Sequence, residues 1–469
     1  MTQTRAWPAW ARASEIADLL RLSIPIAVSR MSMMLMSLTD AIVLGQVKGQ
    51  EHELAFVLNS WLPIGVSLGL GMGLLLGVQV MTSELVGSGQ EADSGRVFRR
   101  GLRLATVLGV VTGLVVYFAA EPLFQMAFVH LNPNAEISQS MSREVFASET
   151  AKVTRILSLG LIMFMISTMF GFYLEALRRP GIVMTIMYLG VAVNLIIDLA
   201  FVLGWWGMPQ LGAEGVAWAT TGSRTALTLA LFVAVILLTP AFKPSAKGPD
   251  DEPRRQLQVG AGTAVSNVAE WGGFNMTFTI ATLSGAAIGT VYGYTIQVMG
   301  VCFMFFLGIG TASSVRVAET YGRGDQDGVR NASRLGVAAT WVLGAFLSLI
   351  VFIFRDYVAL IMVNSEAIVD GVLLAPAISA LMLFAALSVT FDGLQCTCSM
   401  ALRAQNVILT PTLIHIGSFF VLMIPLAFYF SQVLGREAQG MMEAVLISLI
   451  VAGVLQWGLL EKTMARHTE

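Results

Sequence analysis

Charge is what this sequence has least of. Only 12% of its 469 residues are Asp, Glu, Lys or Arg, against about a quarter in a soluble domain. With 56% apolar residues and a mean hydropathy of +0.74, the deficit excludes an ordinary soluble globular chain and points to an integral membrane protein. Net charge is −2 and no basic stripe appears, so nucleic acid is not an expected partner. Cysteine is scarce as well. Cys302, Cys396 and Cys398 all lie in apolar segments, Cys396-Thr-Cys398 is not C-x-x-C, and no histidine stands near in sequence to complete a metal site. These read as packing residues. Of the four histidines only His415 falls in an apolar run, with no partner evident. No nucleophile–base constellation emerges, so the chain is not expected to be an enzyme. The start, MTQTRAWPAWARASEIADLL, lacks a short apolar core followed by a small-residue cleavage site, so no signal peptide is expected.

Long apolar runs are present in number. A membrane helix needs about 20 mostly apolar residues. Twelve such spans are expected, near 20–45, 56–81, 101–120, 153–177, 182–204, 213–239, 258–284, 286–315, 335–355, 372–402, 408–430 and 440–461. The basic clusters sit in alternate loops: Arg96, Arg99, Arg100 and Arg103; Arg178 and Arg179; Lys243, Lys247, Arg254 and Arg255; Arg316, Arg323, Arg330 and Arg334. Arg5, Arg12, Lys462 and Arg466 mark the termini, while the other loops hold few positives, such as Lys48, Arg143 and Arg436. By the positive-inside rule both termini are cytoplasmic, which requires an even number of spans.

The chain also repeats itself. Val80-Met-Thr-Ser-Glu84-Leu-Val-Gly87-Ser-Gly89 lines up with Val315-Arg-Val-Ala-Glu319-Thr-Tyr-Gly322-Arg-Gly324, and in the same register Arg99 meets Arg334 and Gly101 meets Gly336. Ala176-Leu177-Arg178 resembles Ala401-Leu402-Arg403, and Ala27-Val28-Ser29 resembles Ala264-Val265-Ser266. Six spans per half keep both halves in one orientation, a parallel repeat about an axis along the membrane normal. The expected division is an N-terminal six-helix lobe over 1–240, a cytoplasmic linker over 241–256 (AFKPSAKGPDDEPRRQ, read as exposed) and a C-terminal six-helix lobe over 257–469.

Within the spans a few ionisable residues stand out: Arg30, Asp40, Asp198, Arg224, Glu270 and Asp392, with Asn194 as a polar companion. Each charge costs about 2.5–3.5 kcal/mol on insertion scales and is normally turned toward the bundle interior or a wet cavity. At about 1.5 Å per residue, Asp40 and Asp198 both lie roughly 24–30 Å from the cytoplasmic start of their helices. Asn194 and Asp198 are four apart and share a face. A shared outer-half site of Asp40, Asn194 and Asp198 is therefore allowed, and two carboxylates there cannot both ionise cheaply. Such a pair suits a proton, Na⁺ or a cationic drug. Glu270 and Asp392 match in depth nearer the midplane, and Trp271 follows Glu270 directly. Phe419 and Met423 stand at the repeat-equivalent places of Asn194 and Asp198, so the halves are expected to share architecture but not site chemistry. The competing reading of each buried Asp is a helix cap or an ion pair with a buried arginine. Arg30 and Arg224 are read first as such pairing partners, Glu84 and Glu319 as surface ion-pair residues, and Glu175 as a helix-end partner.

Other features carry less. Gly69, Gly71, Gly73 and Gly77 give small-xxx-small spacing for close helix packing. Methionines cluster in spans 1, 4 and 5, among them Met33, and flexible thioethers suit either a promiscuous binding surface or plain packing. Pro25, in the helix of Asp40, frees a backbone carbonyl, so bending there is a candidate partner of Asp40 protonation. Gly322-Arg-Gly324-Asp325 fits G-x-G-D, but its Asp falls in a basic loop rather than within a helix facing a second Asp, so protease chemistry is rejected. The sequon Asn331-Ala-Ser333 is on the wrong side for glycosylation.

The stretches LLRLSIPIAVSR…SLTDAIVLG, SELVGSGQEADSGRVFRRGL, YLEALRRPGIVMTIMYLGVAVNLIIDLAFVLGWWGMPQLGAEGVAWATTGSR and FMFFLGIGTASSVRVAETYGRGD together resemble the multidrug and toxic compound extrusion (MATE) transporters, nearly end to end. The resemblance implies an all-α integral membrane fold of twelve transmembrane helices in two pseudo-symmetric six-helix lobes. It implies a secondary active antiporter that exports organic cations in exchange for H⁺ or Na⁺, with no other cofactor. It places Asp40, Asn194 and Asp198 in the N-lobe coupling site and makes Glu270 and Asp392 cation-coupling carboxylates, with Na⁺ as a possible metal. Met33, Trp271 and Gln297 are the substrate-binding candidates. The family often has His-Gln where Tyr292-Gly293 stands, with Gln297 a partial replacement, and usually Gln where Glu84 and Glu319 stand. Expected partners are small organic cations and the bilayer of the bacterial inner membrane, with the chain acting as a monomer. The alternative is a flippase for a lipid-linked anion, whose cavity should be ringed with arginine, whereas this chain offers mainly Asp and Glu.

Overall fold

The computed structural model describes residues 12–45, 53–130, 142–364 and 366–466. Arg5, Lys48 and most of the stretch read for a signal peptide lie outside them. The described chain is almost entirely helical: α1 (Ala13–Gly45), α2 (Glu53–Gly87), α3 (Ser94–Phe124), α4 (Arg143–Leu159), α5 (Leu161–Ala176), α6 (Pro180–Phe201), α7 (Gly212–Leu238), α8 (Glu252–Ser284), α9 (Ala286–Gly322), α10 (Gln326–Met362), α11 (Leu374–Ala404), α12 (Leu409–Ile416), α13 (Ile424–Phe428) and α14 (Glu437–Arg466). A two-stranded hairpin, β1 (Ile368–Val369) and β2 (Val372–Leu373), links α10 to α11.

Among the described residues, ten helices are long and apolar enough to cross a membrane, Leu409–Val433 counting as one. The expected span over 153–177 is broken: α4 and α5 meet at Gly160 with a 43° bend. Together they make an eleventh candidate. A glycine at a sharp bend has a direct cause: a Cβ there would sit 3.1 Å from the Thr221 hydroxyl. The twelfth rod, α8, has 33 residues but is less apolar, because Asn267, Glu270 and Asn275 interrupt it. Several helices outrun the apolar stretches that foretold them, α9 and α10 reaching 37 residues each. Pro25 lies inside α1, which continues through it. In the Leu409–Val433 rod, Gly417–Met423 and Tyr429–Val433 are wound as wider π-helical turns.

The described chain separates into two compact units, one of 31–79 and 92–253, the other of 1–30, 80–91 and 254–469. In the first, Phe98 packs against Phe170, Tyr173 and Phe242 with ring centroids 4.8–5.7 Å apart. A Cβ on Gly71 would collide with the Met165 thioether, which accounts for part of the glycine spacing in α2. In the second, α9, α10, α11 and α14 enclose a core that includes Tyr292, Phe306, Phe419 and Met442. Its glycines record the sequence repeat directly. A Cβ on Gly87 would strike the Glu319 backbone, and one on Gly322 would strike the backbone of Glu84. The two contacts are reciprocal under the register that aligns 80–89 with 315–324.

The linker is exposed over most of its length and tied down at a few residues. Arg99 Nη1 donates to the Lys243 carbonyl at 3.0 Å and its Nη2 to Ser245 Oγ at 2.5 Å. Glu252, 5% exposed, accepts from Arg96 Nε at 2.9 Å and also from Arg100. Most of the stretch is exposed, as its composition predicts, but it is anchored on α3 at Ser245 and Glu252, because the arginines that mark its side of the membrane are also its hydrogen-bond donors. Glu84 and Glu319 are not surface residues, at 8% and 2% exposure. Glu84 pairs with Arg255 at 2.5 Å and Glu319 with Arg323 at 3.6 Å. Glu175 is fully buried and accepts from Gln79 Nε2 at 3.3 Å. Asp325 of the rejected motif caps α10, its carboxylate accepting from Gly328 N at 2.8 Å.

Candidate functional site

In the first unit, α1 carries Asp40, α6 carries Asn194 and Asp198, and α7 carries Thr220, Ser223 and Arg224. All six are buried. The one-turn spacing on α6 puts Asn194 and Asp198 on a common face, and α1 brings Asp40 to it. Asn194 Nδ2 donates to Asp40 Oδ1 and to Asp198 Oδ2, each at 2.6 Å. Its own Oδ1 accepts from Ser223 Oγ at 3.1 Å, and Thr220 Oγ1 donates to Asp40 Oδ2 at 3.4 Å. The two carboxyls also bear directly on one another. Asp198 Oδ1 has no hydrogen-bond partner among the described residues.

In the second unit, Glu270 on α8 faces Asp392 and Gln395 on α11, three residues apart and so on one face. Gln395 Nε2 donates to Glu270 Oε1 at 3.1 Å and to Asp392 Oδ1 at 3.2 Å. His415 Nε2, from α12, meets Gln395 Oε1 at 2.7 Å. Arg403, lower on α11, donates to Ser266 Oγ at 2.6 Å and acts through space on Glu270. Among the described residues no group of three His, Cys, Asp or Glu side chains is placed to hold a metal ion. The site is two carboxyls and an amide, a donor set for a proton or a hard monovalent cation.

Each unit therefore holds a buried carboxyl pair whose members, on different helices, are bridged by one amide nitrogen. The amide oxygen is held by a third side chain. This corrects the expectation that the halves differ in site chemistry. The repeat-equivalent positions, Phe419 and Met423, are core residues with no exposure. The bridging amide lies instead on α11, beside Asp392.

A family model described as MatE matches residues 25–200 and 263–429. The chain belongs to the MATE family. Among its relatives is a probable multidrug resistance protein NorM of Caulobacter vibrioides, 34% identical over 455 residues, covering 95% of this chain and 90% of that protein. One of Deinococcus radiodurans is 26% identical, covering 95% of each. Solved structures of the same fold include a multidrug resistance MATE family transporter of the MOP superfamily in an outward-facing conformation (TM-score 0.82, 16% identity, 97% of this chain and 96% of that one). A eukaryotic MATE transporter, AtDTX14, gives a TM-score of 0.83 at 15% identity, covering 97% and 98%. The fold is thus that of MATE transporters: all-α, membrane-integral, with twelve spans in two six-helix lobes.

Within this MATE chain the remaining candidates are more scattered. Met33 is half-buried on α1, and Trp271 and Gln297 are exposed on α8 and α9. Trp271 adjoins Glu270 in sequence but points away from it, since successive helix residues diverge by about 100°. Tyr292, where the family often has His, is fully buried and shares a 2.7 Å hydrogen bond with Thr277. Arg30 is buried. Among the described residues Arg224 makes no hydrogen-bonded ion pair. Its guanidinium lies 4.8 Å from the Phe164 ring centroid and acts on Asp40 through space. It lines a cavity of ≈ 20 Å³ with Trp61, Phe164 and Thr220, room for about one water molecule.

Sequence reasoning missed Gln395, Thr220 and Ser223, and left His415 without a partner. Gln395 carried a usable signal, since an amide three residues from a membrane carboxylate shares its face. His415 was visible as the one histidine in a span, but its partner is on another helix.

Proposed function

We propose that this MATE transporter is a secondary active antiporter that exports organic cations in exchange for H⁺ or Na⁺ by alternating access. The observation that carries the reading is the pair of buried, amide-bridged carboxyl sites. A carboxylate inside a membrane costs about 2.5–3.5 kcal/mol on insertion scales, and two side by side repel. Loading a proton or a hard cation removes that repulsion, so each site favours one conformation when empty and another when loaded. Asp40, Asn194 and Asp198 form the N-lobe coupling site. Glu270 and Asp392 form the C-lobe site, whose oxygens suit Na⁺. Bending of α1 at Pro25 would couple Asp40's charge to helix shape.

Drug export is supported by the relatives' names, which call them multidrug resistance proteins. Met33, Trp271 and Gln297 are the substrate contacts of this reading. A flippase for an anionic lipid-linked substrate is less well supported, because the buried charges at both sites are mainly carboxylates. The protein would act as a monomer in the bacterial inner membrane, with both termini cytoplasmic, catalysing no covalent reaction.

The test is efflux of a fluorescent organic cation from vesicles carrying the purified protein. Efflux should start when an inward H⁺ or Na⁺ gradient is imposed and stop when it is collapsed. Efflux that ignores the gradient contradicts the proposal.

A further inference from the structure

We infer that Gln395 is itself a cation ligand of the C-terminal site, and that His415 is the positioning residue that allows it to become one. The inference rests on reading Glu270 and Asp392 as a coupling pair. It starts from a count of hydrogens. A primary amide has two N–H donors, and both of Gln395's are directed at carboxylates, at 3.1 Å to Glu270 and 3.2 Å to Asp392. Its carbonyl oxygen faces the other way, 2.7 Å from His415 Nε2. A carbonyl accepts only, so Nε2 carries the hydrogen. The bare nitrogen of a neutral ring is then Nδ1, which is buried and has no partner among the described residues.

This arrangement fits an empty carboxylate pair, with two N–H groups facing two negative oxygens. It does not fit a cation between them, which would meet those N–H groups head on. Rotating the Gln395 amide by half a turn about its last torsion exchanges nitrogen and oxygen at almost constant shape. The carbonyl then joins the two carboxylates as a third oxygen ligand, the ligand type that hard cations select. The rotated amide presents its NH₂ group to His415, and Nε2 must now accept. Imidazole can do this by carrying its hydrogen on Nδ1 instead. The change is neutral overall: Nε2 releases one proton and Nδ1 takes one up, with water as carrier. The ring itself need not move. It is 2% exposed and packs against Phe419 at 5.8 Å between centroids. Most replacements for histidine would hold Gln395 in one orientation or leave it unpartnered in both.

The experiment uses the full-length protein with ¹⁵N-labelled histidine in lipid nanodiscs, with the His415 signals assigned by their loss in His415→Gln. The imidazole ¹⁵N shifts are recorded without Na⁺ and at saturating Na⁺, and Na⁺ affinity is titrated in the same samples. The hydrogen is expected on Nε2 without Na⁺ and on Nδ1 with it. Outer-shell partners of metal ligands are worth about 10–100-fold in affinity, so His415→Leu should weaken Na⁺ binding by about tenfold or more. His415→Gln, whose amide presents either N–H or C=O, should stay near wild type. A tautomer that does not change at saturating Na⁺, or Na⁺ binding by His415→Leu equal to wild type, overturns the inference. So does the absence of Na⁺ binding to the wild type. Coupling through Glu270 is judged separately, by dye efflux of Glu270→Gln under a pH gradient.

Discussion

Gln395 holds in the C-terminal half the post that Asn194 holds in the N-terminal half. Each amide nitrogen bridges a carboxyl on its own helix, Asp392 or Asp198, to one on another, Glu270 or Asp40. The oxygens of the two amides are anchored by His415 and Ser223. Both amides are fully buried. Each tethers two groups that would otherwise repel.

Removing either bridge should therefore destabilise the fold. Asn194→Leu and Gln395→Leu each leave buried carboxyl oxygens without donors, an expected cost of about 1–3 kcal/mol. Thermal unfolding of the purified protein in detergent should show a lower midpoint for both. An unchanged midpoint would mean that the bridges hold nothing together.

The reciprocal contacts of Gly87 with Glu319 and of Gly322 with Glu84 predict a matched pair of defects. A methyl group at either position meets backbone, which cannot swing aside. Gly87→Ala and Gly322→Ala should each cost about 1–3 kcal/mol, as overpacking does. The double variant should cost less than the sum, since both strain the same helix contact. Strict additivity in thermal melts would contradict a shared contact.

Glu252 predicts the behaviour of the linker. Its carboxylate joins Arg96 and Arg100, and charged hydrogen bonds of this kind contribute about 1.5–3 kcal/mol. Glu252→Ala should release the segment and speed tryptic cleavage after Lys247 and Arg254, without altering cleavage elsewhere. Equal cleavage rates in variant and wild type would show that the docking is not held by this residue.

The parts of this molecule that were legible in its sequence are the local ones. Apolar runs foretold the helices, because a bilayer requires about 20 apolar residues whatever their neighbours. Asp40, Asn194 and Asp198 could be grouped because helix rise and the four-residue spacing fix depth and face. Gln395 escaped because glutamine in an apolar helix differs little from a packing residue until its neighbours are known. His415 was noticed, but its contact with Gln395 crosses from α12 to α11, and no periodicity reports that. The linker's exposure was legible in its composition, but its anchoring was not, because its partners Arg96, Arg99 and Arg100 lie some 150 positions earlier. The break at Gly160 was hidden inside the expected span over 153–177, with leucine on either side of it, Leu159 and Leu161.

The central claim, ion-coupled export through two carboxyl pairs, is tested most directly by dye efflux from proteoliposomes under a Na⁺-only or an H⁺-only gradient. Wild type, Asp40→Asn and Glu270→Gln should be compared in both. Wild type should export under at least one gradient, and each variant should fall to the rate of protein-free vesicles under the gradient that its carboxyl pair serves. Full gradient-driven export by both variants would contradict the account.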